Sequence, residues 1–172
     1  AAGLAEAGLG YTHLRTLGTP KAGREAARAA FAALLIAHSE AEEEIAYPKL
    51  KSRKVIAGEE EEHGEEEHAA TNEALLHLLQ AKGTDTQKFQ DALEAVAEVL
   101  NHHIGEEELT ILNPAREDAS EELREQLGKS WSARRNELLE AGAAYGATGI
   151  DWMSVGGLTH SSPIIDLALD LV

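Results

Sequence analysis

The sequence contains no cysteine. Disulfides, thiolate zinc sites, iron–sulfur clusters and thiol nucleophiles are excluded with it, because each needs that sulfur. Aromatic residues make up only 4% of the chain and proline occurs four times. Sheet cores draw on aromatic and β-branched side chains, so this shortage, beside abundant Ala, Leu and Glu, points to helices. Positive charge is scarce as well: 15 Lys and Arg stand against 31 Asp and Glu, leaving a net charge of −16. That balance argues against nucleic acid or an anionic membrane surface as a partner. No apolar run approaches the roughly 18 residues of a membrane span, so a soluble, cytoplasmic protein is expected. The opening "AAGLAEAGLG" is neither long nor apolar enough for a signal peptide and reads as a trimmed terminus.

What the chain does have is regular punctuation. Its 172 residues suit one domain with an appendage, and a hydrophobic fraction of 43% is enough for a core. Breakers fall at "LGTPKAG" (17–23), at Pro48, at "KGTDTQ" (82–87) and at Pro114, with a fresh helix start after "DAS" (118–120). Five helical stretches lie between them, at about 2–17, 22–46, 59–82, 86–112 and 119–144. The first four are joined by short loops, which predicts an all-α, antiparallel up-down four-helix bundle over residues 1–118. Residues 119–172 would add a further helix and a Gly/Ser-punctuated tail, packed on the bundle or on a second subunit as a homodimer contact.

Histidine and glutamate recur in a pattern. "HSEAEEEIAYPKL" (38–50) and "HHIGEEELTILNPAR" (102–116) each place a histidine four residues before a glutamate and reach a proline soon after. At about 100° per residue, His38 and Glu42 lie on the apolar stripe of Phe31, Leu34, Leu35 and Ile36. His103 and Glu107 lie on the stripe of Phe89, Leu93, Val96, Val99 and Leu100, whereas His102 and Glu106 point away. His68 is central on the face of Leu75, Leu76, Leu78 and Leu79; His77 lies opposite, and His63 is off-face, solvated or supporting. His38, His68 and His103 also share a level, each about 17 residues or roughly 25 Å from its neighbouring turn.

A single core histidine is ordinarily just hydrogen-bonded, and a glutamate-rich face is ordinarily solvated. Five imidazole and carboxylate groups converging indoors are another matter, since each unpaired buried charge costs several kcal/mol. A bound cation pair removes that cost. Nitrogen and oxygen donors without sulfur suit iron, manganese or zinc. An i, i+4 pair lets one helix give two ligands, and a carboxylate can bridge two ions, so a dinuclear site, iron foremost, is expected. The run "GEEEEHGEEEH" (58–68) carries too many glutamates for all to be ligands; it begins a helix, where acid meets the positive end of the dipole.

On these residues the chain resembles the hemerythrin-like HHE cation-binding domains, four-helix bundles with a non-haem di-iron centre. The matching text is "HSEAEEEIAYPKL", "EEEHAATNEALLHLL" and "HHIGEEELTILNPARED". The resemblance implies His38 with Glu42, His68, and His103 with Glu107 as ligands to two iron ions bridged by carboxylate or oxide, with manganese or zinc less expected. The family also places a histidine on the first helix. Here His13 lies about 10 Å off the level of His38, and the residue at the right height is Glu6. Three arrangements are open: Glu6 supplies a carboxylate, the stretch bends at Gly8–Gly10 to bring in His13, or that ligand is absent. The implied function is binding of, or reaction with, O2, nitric oxide or peroxide in sensing, storage or scavenging. Two other readings are a di-iron oxidase or oxygenase with "GIDWMSVGG" (149–157) over its pocket, and a helical interaction module without the metal pair.

Overall fold

A computed structural model describes residues 21–146, and among these the chain is helical without strands. The expected first helix at 2–17, with Glu6 and His13, and the tail beyond Gly146, with Trp152 and Met153, lie outside the described residues. In chain order come α1 (Lys21–Ala41), a π-helical turn (Glu42–Ala46), α2 (Tyr47–Ser52), α3 (Gly58–Gln80) and α4 (Gln87–Glu107). A second π-helical turn (Glu108–Leu112), α5 (Asn113–Asp118) and α6 (Glu121–Gly146) complete the set. None of the described helices is long and apolar enough to cross a membrane.

Local chemistry sets most boundaries. Gly83 adopts φ +77, a left-handed turn that glycine takes without a Cβ penalty. Thr86 then caps α4, its hydroxyl accepting from the Phe89 N–H at 3.2 Å. Ser120 does the same for α6 through the Leu123 N–H. Glu59, Glu60 and Glu61 fill the first turn of α3, where acid suits the helix dipole.

The two prolines among the described residues depart from expectation. Pro48 and Pro114 do not break their helices; each follows a π-helical turn and opens a new α-helical segment. Inside an α-helix, proline would clash with the carbonyl four residues back and lack its donor. The wider turn removes that conflict by taking its hydrogen bond five residues back, from the Tyr47 N–H to the Glu42 carbonyl and from the Asn113 N–H to the Glu108 carbonyl. Each proline then falls at the start of a segment, where its N–H is not needed. The connection after Pro48 therefore shrinks to residues 53–57.

Along α1–α2 and α3, Arg28 reaches the Ala81 carbonyl at 2.8 Å, Glu43 reaches His68 at 2.8 Å, and Lys51 pairs with Glu61. The two therefore pass each other in opposite directions. The buried apolar residues form two clusters. One gathers Phe31, Leu35, Leu75, Leu78, Phe89, Leu93 and Val96; the other gathers Tyr47, Leu50, Ile56 and Ile111. On α1, α3 and α4 alike, the buried histidines and glutamates fall between these clusters in the sequence. The fold thus holds one polar layer between two apolar ones. α6 packs chiefly on α1, pinned by a forked contact from Arg134 to Glu44 at 2.6 and 3.2 Å.

Candidate metal centre

His38, Glu42, His68, His103 and Glu107 are all buried, the most exposed at 6%. Donor atoms of Glu42, His68 and His103 lie within 4.8 Å of one another, and so do those of His38, Glu42 and Glu107. Glu42 belongs to both groups. Its Oε1 is 2.9 Å from His38 Nε2 and its Oε2 is 3.3 Å from His68 Nε2. The Nε2 atoms of His68 and His103 face each other at 3.2 Å.

The remaining ring nitrogens of those two histidines meet carboxylates. His68 Nδ1 donates to Glu43 at 2.8 Å, and His103 Nδ1 donates to Glu67 at 3.2 Å. Such carboxylates fix the tautomer and aim Nε2 inward, as partners of metal-binding imidazoles do. Glu43 and Glu67 escaped the sequence reading because each adjoins a core residue inside an acidic run, with nothing in spacing to single it out. His102, exposed as expected, and the half-exposed His63 both approach Glu67 Oε1, at 3.4 and 3.8 Å.

Tyr47 is the second addition. It is fully buried, and its hydroxyl donates to Glu107 Oε1 at 3.4 Å while lying 3.4 Å from His68 Nε2. Its ring stacks on His68 at 5.7 Å between centroids. An ideal α-helix would turn Tyr47 away from Glu42; the π-helical turn brings it round, which helical phase could not show. Gly64 makes room, since a Cβ there would stand 2.9 Å from Tyr47 Cε2. Gly64→Ala is expected to lower stability by about 1–3 kcal/mol, the usual cost of overpacking, read from urea melts. An unchanged midpoint would show that the ring yields freely.

Electrostatics follow from this crowding. Burial alone would raise the Glu42 carboxyl, but the His38 and His68 imidazoles overcome it and hold it at about 2. For His68 burial pushes downward, and the Glu42 and Glu43 carboxylates override it, lifting the imidazole to about 9. Burial and then the Glu42 charge push Glu107 up to about 8. Burial and the neighbouring His68 lower His103. Burial, followed by the Glu42 and Glu107 charges, raises Tyr47 far above its ordinary range.

Whether a cation fits can be judged from atoms left over. Among the described residues, both ring nitrogens of His38 and Oε2 of Glu42 are buried without a well-aligned hydrogen bond, close as His38 Nε2 is to Glu42 Oε1. An unsatisfied buried donor or acceptor costs roughly 1–3 kcal/mol, and these all belong to the group around the shared glutamate. An ion coordinated there would use them, and the set of imidazole and carboxylate suits iron, manganese or zinc. The residues fit.

Comparison with known proteins agrees. The family model for the hemerythrin HHE cation binding domain matches residues 7–115, and the chain belongs to that family. Over 115 residues it is also 29% identical to a protein named DNA nickase from Nostoc sp. strain PCC 7120. That match takes in 66% of this chain but only 32% of the relative, so the chain spans about a third of the longer protein. No solved structure matches it.

Proposed function

We propose that the chain is a hemerythrin-like protein of up-down helical topology whose polar layer holds two non-haem iron ions. One would lie among Glu42, His68 and His103, the other among His38, Glu42 and Glu107, with Glu42 between them. The observation that carries this is the double membership of Glu42, whose two oxygens face imidazoles from different groups. Bound iron would supply a redox change and open positions for a small oxidant such as O2, nitric oxide or peroxide.

The chain's own groups define the rest. Glu43 and Glu67 orient two imidazoles, and the flanking apolar clusters exclude water on both sides. Tyr47 keeps its proton at the hydroxyl between Glu107 and His68, a donor within reach of anything bound between the two groups. Sensing, storage or scavenging needs no more than this. DNA nicking is not carried over from the longer relative, because a net charge of −16 offers phosphates little to neutralise.

Anaerobic loading with Fe(II), removal of excess and metal analysis should give two irons per chain. Admitting O2, peroxide or nitric oxide should then produce a charge-transfer absorption absent from the metal-free protein. A chain that retains no iron after loading ends this reading.

A further inference from the structure

Among the described residues three histidines surround the shared glutamate, and they are not held alike. His68 and His103 each rest Nδ1 on a carboxylate. Among the described residues His38 has no such support: its Nδ1 is buried without a hydrogen bond. What meets its ring is Trp131 of α6, with centroids 5.2 Å apart and planes at 85°. That edge-to-face geometry is one of the two that aromatic pairs favour.

The indole is itself fixed. Arg135 lies 5.3 Å from its centroid on the next turn of α6, and Arg134 ties the same helix to Glu44 in the first π-helical turn. Trp131 and the whole of α6 lie beyond residue 115, where the family match ends. The helix outside the matched region therefore reaches a residue inside the centre.

We propose that Trp131 is a positioning residue for His38, so that α6 completes one of the two cation positions. The inference rests on the dinuclear reading above. It makes the two positions unequal. Among the described residues, the one with Glu42, His68 and His103 has carboxylate-oriented imidazoles, whereas the one with His38, Glu42 and Glu107 depends on the indole to orient its histidine. Loss of the indole frees the His38 ring to rotate and leaves the other position intact.

The test compares the full chain with Trp131→Ala and Trp131→Phe, using Fe(II) under anaerobic conditions. Wild type should bind two irons. Trp131→Ala should hold one with unchanged affinity and bind the other about 10–100-fold more weakly, the usual effect of removing a ligand's support. Trp131→Phe keeps an aromatic ring there and should retain both. A second measurement needs no change at Trp131. The sequence has two tryptophans, so Trp152→Phe leaves Trp131 as the emitter. Its fluorescence should be quenched chiefly in the weaker of the two binding steps. Equal weakening of both irons in Trp131→Ala, two irons held as tightly as in wild type, or emission indifferent to the weaker step would each overturn the assignment. Failure of wild type to bind two irons would instead remove the dinuclear reading beneath it.

Discussion

Glu42→Gln is expected to abolish binding of both cations, while His38→Ala and His103→Ala each remove one. The reason is that Glu42 alone is common to the two donor groups. An amide presents one weak oxygen donor where the carboxylate presented two charged ones, so neither group retains its shared member. Without metal the substitution should also cost about 3 kcal/mol at neutral pH, because an imidazolium loses a buried partner. Glu43, still 2.8 Å from His68 Nδ1, keeps the loss from being larger. Metal content after Fe(II) loading and urea melts in chelator supply the two readouts. Retention of even one tightly bound ion by Glu42→Gln would show that the carboxylate is not required at both positions.

The metal-free protein should be most stable near pH 5 and weaken steadily towards pH 9. Three groups set the sign. Glu42 is held at about 2 in the fold against an ordinary 4.5, so its contribution is complete above pH 4.5 and is lost only as pH falls through about 2. His68 is lifted from 6.5 to about 9, so its contribution is complete below 6.5 and disappears as pH rises through about 9. Glu107 is raised from 4.5 to about 8, so its burial becomes costly as pH climbs between those values. Two groups thus act in one direction above neutrality. His68 alone accounts for a decline on the order of 3 kcal/mol between about pH 6 and 10, since every tenfold change in proton affinity is worth about 1.4 kcal/mol.

Iron should reverse the slope. The ligands must shed protons to bind, so uptake releases protons and strengthens with pH. At a free ion concentration about a thousand times the dissociation constant, binding adds about 4 kcal/mol of stability. Urea melts at pH 5, 7 and 9, in chelator and in Fe(II), make the comparison. A chelated protein whose stability is flat or rises from pH 5 to 9 would contradict the burial of a charged His68 beside two carboxylates.

The inward direction of the five central residues was legible because four of them lie in the regular helices α1, α3 and α4, and Glu42 directly follows α1, before the π-helical turn has shifted the phase. Helical phase is a local property, and it sorted His68 from His77 and His103 from His102 correctly: the first of each pair is buried and the second exposed. Phase failed where the helix was not α. The π-helical turn that carries the chain into Pro48 also rotates Tyr47 onto the centre, and no α-helical periodicity could have placed it there. Glu43 and Glu67 were invisible for another reason. Their partners lie on other helices, 25 and 36 residues away, so only packing distinguishes them from the solvated glutamates beside them.

By itself, then, the sequence determined a helical chain with a polar layer of imidazole and carboxylate between apolar stripes, and excluded cysteine thiolate from that layer. Composition and helical phase act over a few residues, and they suffice for that much. Only the tertiary structure decided which carboxylates orient which imidazoles, that Glu42 is shared, and that Trp131 from a helix outside the family match meets His38. Those are distances between separate helices. They depend on packing angles, the two π-helical turns and the notch at Gly64, none of which is written in the spacing of residues along a single helix.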